Sequence, residues 1–182
     1  MTDPQPAPGA RPRRSATRAE ANALASALRL RILRMTYQQP LTNKEIAQRL
    51  GRDPATTLYH VRKLVDTGFL RALPVRRGVR GSREIPYLST GLSWSLEPAP
   101  GDNEAVLAEA MFEAFLGEVA EAGFERLRQT RLALRLDAEQ RGELRTRLAH
   151  LFDEFATRPT VPGVPLLGVY LAMYGDDVAP DE

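Results

Sequence analysis

The tightest constraint in this chain is the stretch 53–70 (DPATTLYHVRKLVDTGFL), because both ends of one short helix are specified inside it. Asp53 is suited to cap the first turn with its carboxylate, and Pro54 takes the first helical position, where its missing N–H costs nothing. Gly68 supplies a left-handed stop. At about 100° per residue, Thr57, His60, Val61, Leu64 and Val65 share one side, while Ala55, Thr56, Tyr59, Arg62 and Lys63 share the other. The first arc is expected in a core. The second has few apolar reasons to be buried and is a candidate contact surface.

The flanking sequence supplies the rest of a small domain. Residues 18–35 read as one helix, with Leu24, Leu28 and Ile32 on its inner face and Arg29, Arg31 and Arg34 on its wet side. Residues 41–50 read as a second helix: Thr42 and Glu45 are spaced as a capping box, Ile46, Ala47 and Leu50 face inward, and Gly51 ends it. A short turn between two small amphipathic helices is the mark of a helix-turn-helix. The period then changes to that of strands over 69–76 and 83–90, separated by a Gly/Ser-containing tip at 77–82. Arg76, Arg77, Arg80 and Arg83 crowd this hairpin, a repulsive arrangement unless an anion is near. Pro74 and Pro86 predict strands that are edge-like or broken. Helix, helix-turn-helix and basic hairpin in this order make a winged helix.

The segments LASALRLRIL (24–33), LTNKEIAQRL (41–50) and YHVRKLVDTGFL (59–70) resemble the three helices of ArsR-type repressors, a likeness that covers residues 18–96. The resemblance implies that the second paired helix enters the major groove of DNA, that the wing lies along the backbone, and that the protein is a homodimer. It puts Ala55, Thr56, Tyr59, Arg62 and Lys63 at the groove, the face that periodicity also leaves outward. Leu58 stands where relatives often carry a small hydroxyl residue. The expected DNA-contact set adds Thr42, Asn43 and Lys44 at the start of the preceding helix, His60, and the hairpin arginines Arg76, Arg77, Arg80 and Arg83.

Charge agrees with that reading. Residues 1–96 carry 17 Lys/Arg against 6 Asp/Glu, a net of +11, whereas residues 97–182 carry 8 against 17, a net of −9. Clustered cations displace counterions from phosphates, so the basic half is the one expected to meet double-stranded DNA. Residues 1–17, with four prolines and three arginines, are expected to form a disordered basic arm.

Residues 97–182 read as a dimerisation and possible effector module. After a linker at 97–102, a helix over 103–129 is apolar nearly all round and must be buried from more than one direction. Val106, Leu107, Ala110, Met111, Ala114 and Phe115 are the expected dimer contacts, and an apolar small molecule beside this helix is the expected effector if one exists. Residues 130–136 alternate as a strand, Asp137 and Gln140 form another capping-box pattern ahead of a helix over 138–156, and 165–174 reads as a last apolar strand. The predicted fold class is therefore α+β, mainly α: a winged helix-turn-helix, a long dimerisation helix and a small strand-helix-strand module.

The chain has no cysteine, which excludes thiolate metal sensing, and only two histidines, His60 and His150; no metal site and no cofactor are expected. No apolar run approaches the roughly 18 residues of a membrane span, and the expected location is the cytoplasm, on the nucleoid when DNA is bound. Nucleophile elbows and phosphate-binding glycine loops are absent, so no enzymatic activity is expected. The expected function is that of a transcriptional regulator, a repressor by the family resemblance, acting on an inverted-repeat operator. The rival is a winged helix used for protein contact, or for DNA architecture, within a larger complex.

Overall fold

The computed structural model describes residues 13–37, 39–78, 81–97, 104–159, 161 and 163–175. The core is built by α1 (Arg18–Leu24), α2 (Ala27–Met35), α3 (Asn43–Leu50) and α4 (Pro54–Asp66). Ile32, Ile46, Val61, Leu64 and Phe69 are fully buried at its centre.

Local chemistry sets several ends as the sequence predicts. Thr42 and Glu45 form a reciprocal capping box at α3. The Asp53 carboxylate accepts from the Ala55 and Thr56 amides at 2.8 and 3.1 Å. At the other end of α4, Gly68 has φ +76°, its N–H donates to Val65, and the Phe69 N–H donates to Leu64. These two bonds are a Schellman stop, and they turn Phe69 back into the core.

Residues 18–35 form two helices, not the single one expected. The break at Ala25–Ser26 is stabilised by a side chain from the first turn of α2: the Arg29 guanidinium donates to the carbonyls of Ala23 and Asn22, satisfying the end of α1. Arg31 and Arg34 are not on a wet side either. They pair with Glu121 and Glu118 of α5 (Glu104–Ala122), which packs along α2.

The wing is a three-stranded antiparallel sheet in which β6 (Pro86–Ser89) lies between β2 (Leu41–Thr42) and β3 (Leu70–Ala72), with Leu41 opposite Tyr87 and Leu70 opposite Ser89. Its tip is a separate ladder of β4 (Arg76–Arg77) and β5 (Arg83–Glu84). The interruption falls at 73–75 and at Ile85, beside the two prolines that predicted it. Residues 79 and 80 lie outside the described residues.

The expected arm is ordered at its inner end. The strand β1 (Arg14–Ser15) pairs in parallel with β7 (Leu96–Glu97), and Arg14 forms an ion pair with Glu20 at 2.5 Å. Residues 1–12 lie outside the described residues, as do the linker residues 98–102 and residue 103, where the next helix was expected to begin.

Helix α5 stops at Ala122 rather than near residue 129, because Gly123 leaves the helical region at φ +93°. Beyond it, α6 (Ala138–Ala156) carries the expected Asp137/Gln140 capping box. Its expected flanking strands are not strands: neither 130–136 nor 163–175 belongs to a ladder among the described residues. Alternation defines two faces of a chain, but a strand exists only where another backbone accepts and donates its hydrogen bonds.

Candidate nucleic-acid interface

Helix α4 presents the outward arc that its sequence predicts. Thr57, Val61 and Leu64 are buried and His60 and Val65 half-buried, whereas Ala55, Thr56, Tyr59 and Arg62 are exposed and Lys63 is half-buried. Tyr59 is 66% exposed, the largest apolar surface on the helix, and nothing in the domain's packing accounts for it. Its ring meets the edge of His60, with centroids 5.3 Å apart. Burial, and then the nearby Arg29 cation, push the His60 imidazole below its usual value, and its Nδ1 is buried without a partner among the described residues. A neutral, half-buried ring suits a structural support for Tyr59 better than a phosphate contact.

The start of α3 divides the expected contacts. Thr42 is buried and its hydroxyl is committed to the Glu45 amide, so it shapes the helix rather than reaching outward. Asn43 donates from Nδ2 to the Pro54 carbonyl at 2.8 Å, which ties the first turn of α3 to the first turn of α4. Only Lys44 of the three is exposed.

The wing arginines also differ from one another. Arg76 is clamped between Glu45, at 2.8 Å, and Glu84, at 3.4 Å, so it joins the wing to α3 and is not a free phosphate donor. The Thr42 backbone bond first, then the Thr42 hydroxyl and Arg76, hold the Glu45 carboxyl below its ordinary value against the effect of burial. Arg77 and Arg83 are exposed and directly opposed in the β4–β5 register. They line, with Val75, Arg76 and Gly81, a shallow cleft at the tip. The predicted contact Arg80 lies outside the described residues. The exposed cations missing from the expected contact set include Arg52, in the turn between α3 and α4, and Arg71 on β3. The signal for Arg52 was its place two residues before the α4 first turn, where a cation borders any ligand of that turn.

Residues 24–71 match the family described as a helix-turn-helix domain, a span from α1 through α4 into β3. The helix-turn-helix continues into the β3–β6 hairpin, so the fold is a winged helix-turn-helix. Among solved structures, the chain is similar to reduced HlyU from Vibrio cholerae, at 19% identity over 54% of this chain and 84% of that one, with a TM-score of 0.33. It is similar also to Mb0332 from Mycobacterium bovis, described as a homodimeric winged helix-turn-helix DNA-binding domain and a possible ArsR-family regulator, at 22% identity over 60% and 82% of the two chains, TM-score 0.33. A third is ZitR from Lactococcus lactis in complex with DNA, at 19% identity over 71% and 74%, TM-score 0.32. No curated protein sequence matches the chain significantly.

The expected dimer residues fall on two sides of α5. Leu107, Ala110 and Ala114 face the helix-turn-helix domain, and Phe115 stacks on Tyr170 of its own chain, with centroids 4.8 Å apart. Val106 and Met111 are exposed, together with Phe112 and Leu116. The cleft beside α5, about 710 Å3 in volume, has a mixed lining: Arg31, Arg34, Arg49, Glu118 and Glu121 together with Met35, Val164 and Leu166. Burial raises the Glu118 carboxyl above its usual value, although Arg34 and Arg31 oppose the shift. Among the described residues, no helix is long and apolar enough to cross a membrane.

Proposed function

We propose that this protein is a sequence-specific DNA-binding transcriptional repressor that binds an inverted-repeat operator as a homodimer. The observation that carries this reading is the outward face of α4, where Thr56, Tyr59 and Arg62 stand exposed on a helix whose other side is locked into the core. A recognition helix needs that combination: a rigid inner face to fix its angle, and polar side chains outside that reach base edges. Thr56 and Tyr59 are assigned to base edges. Lys44, Arg52, Arg62 and Lys63 border this face, and Arg77 and Arg83 extend the positive surface along the wing, where they serve the phosphate backbone. Asn43 and Arg76 hold the pieces in register, the first joining the two helices and the second joining helix to wing.

The homodimer half of the proposal rests on the exposed apolar residues of α5, Val106, Met111, Phe112 and Leu116, which packing within one chain leaves uncovered. Repression follows from occupancy of a promoter and needs no further chemistry from the chain.

The test is selection of fragments from the source genome by the purified full-length protein, followed by titration of the recovered site and of scrambled duplex at several salt concentrations. A recovered inverted repeat, bound about a thousandfold or more tighter than scrambled duplex, is the expected result. Equal binding to both would reduce the protein to an architectural role, and no binding at low salt would remove DNA from its function.

A further inference from the structure

The C-terminal half is left unfinished by a single copy of the chain. Of the twenty large hydrophobic residues that are exposed among the described residues, seventeen lie beyond residue 104, and the other three, Tyr59, Val75 and Ile85, are on α4 or the wing. The seventeen are not scattered. Leu132 and Leu134 lie in segment 130–136, where every residue but Leu136 is exposed, and Leu167, Val169, Leu171 and Met173 lie in segment 163–175, where every residue but Tyr170 is exposed. Among the described residues, no backbone group of 130–136 or of 165–175 takes part in a backbone hydrogen bond. Between the two segments, α6 carries an apolar stripe through Leu144, Leu148, Leu151 and Phe155, and no residue of α6 is buried.

We infer that a second copy of this chain completes the unit in trans: the extended segments of each protomer take their strand partners from the other, and the apolar stripes of the two α6 helices cover the sheet so formed. The inference rests on the homodimer reading above and says where the copies interlock. Three observations favour another copy over an unrelated partner. Each chain already holds both halves of the missing contact, unpaired strand backbones and an uncovered helical stripe, so two copies satisfy each other around a two-fold axis and leave no open edge to propagate. The surface suffices, since at roughly 50 Å2 for each partly exposed side chain the seventeen offer on the order of 800 Å2 per protomer, the share in a standard stable interface, whereas monomers rarely expose so large an apolar patch. And the surface is continuous with α5: Tyr170 stacks on Phe115 and lies 6.2 Å from Phe112, so segment 163–175 adjoins the exposed row of that helix.

Hydrogen exchange on the full-length protein, followed by mass spectrometry at concentrations above and below the dimer dissociation constant measured by sedimentation, tests this directly. Amides of 130–136 and 165–174 should exchange at least tenfold more slowly in the dimer than in the monomer. Leu134→Asp and Val169→Asp should each shift sedimentation to the monomer and abolish that protection, while α3 and α4 stay protected. A dimer whose two segments exchange as free chain overturns the inference, as does a dimer indifferent to both substitutions or a wild type that is monomeric at every concentration. A dimer with protected segments that shifts no duplex would remove the DNA reading and leave the interlock standing. Operator binding by a dimer with unprotected segments would do the reverse.

Discussion

Arg77 and Arg83 face each other across the β4–β5 ladder of the wing, two exposed guanidinium groups in register with no carboxylate in ion-pair contact with either among the described residues. Like charges directly opposed weaken a two-stranded ladder, and a phosphate placed between them would reverse the sign of that interaction. Arg77→Ala and Arg83→Ala should therefore weaken binding to all duplexes alike and make the salt dependence of the logarithm of affinity shallower by roughly one unit each. Titrations from low to moderate salt measure it. Arg76→Ala is the control, because Glu45 and Glu84 already neutralise that side chain. Its slope should stay that of the wild type, and an equal loss of slope in all three variants would show that the wing acts only as diffuse charge.

Base readout should be confined to α4. Tyr59→Ala or Thr56→Ala is expected to cost about 1–3 kcal/mol at the specific site and to relax preference at one or two positions, with little change on random duplex. Both side chains are exposed, so thermal stability should move by no more than about 0.5 kcal/mol. Competition titrations with single-base variants of the site separate the outcomes: equal losses on every duplex would move Tyr59 to the backbone.

Sequence revealed what is decided within one or two helical turns. The Asp53 cap, the Gly68 stop and the Thr42/Glu45 and Asp137/Gln140 boxes use partners no more than a few residues apart, so their residue types and spacing already contain the interaction. The outward arc of α4 was legible for the same reason. What escaped depends on where long side chains go, most often to groups distant in the chain. Arg31 and Arg34 read as solvated until α5 brings Glu121 and Glu118 to them, and Arg76 read as a phosphate donor until Glu45, 31 positions away, is folded against it. The break between α1 and α2 depends on where the Arg29 side chain goes, which helical periodicity does not encode. Residues 130–136 and 163–175 show the limit from the other side, since alternation gives a segment two faces and says nothing about whose backbone it pairs with.

Acid should loosen the N-terminal edge first. Glu20 is buried, and its carboxyl is held down to about 2, foremost by the hydrogen bonds from Arg14 and with help from Thr17, against the opposing effect of burial. A carboxyl whose folded value lies below its unfolded value, about 4.5, stabilises the fold fully above the unfolded value and loses that contribution as pH falls toward the folded one. Glu20→Gln keeps a side chain able to complete the capping box and removes the charge. It should lower the melting temperature at pH 7, and its deficit relative to wild type should shrink as pH drops from 4.5 toward 2. Thermal melts across that window read the difference, and a deficit constant with pH would mean that Glu20 acts through packing alone.

Breaking the α5 seam should separate specific from nonspecific binding. Met111 and Phe112 of α5 are about half exposed, whereas Phe115 is half-buried and stacked on Tyr170, whose ring lies farther, at 6.2 Å, from Phe112. Met111→Glu and Phe112→Glu therefore charge the seam without opening the core, and each should give a folded monomer by circular dichroism and sedimentation. Phe115→Glu also breaks a stacked contact inside the chain and should lower the melting temperature as well. A symmetric dimer offers two copies of α4, and reading successive major grooves on one side of the duplex sets their centres roughly 34 Å apart, so the operator halves should repeat about one helical turn apart. Losing the partner removes one half-site, and with it the coupling that makes the second contact nearly intramolecular; affinity for the full operator should fall by a hundredfold or more. Binding to random duplex, which each winged domain performs through its own cations, should fall far less. A Met111→Glu protein that stays dimeric would move the seam elsewhere on the C-terminal half, and a folded monomer that binds the full operator as tightly as wild type would show that one winged domain does the whole reading.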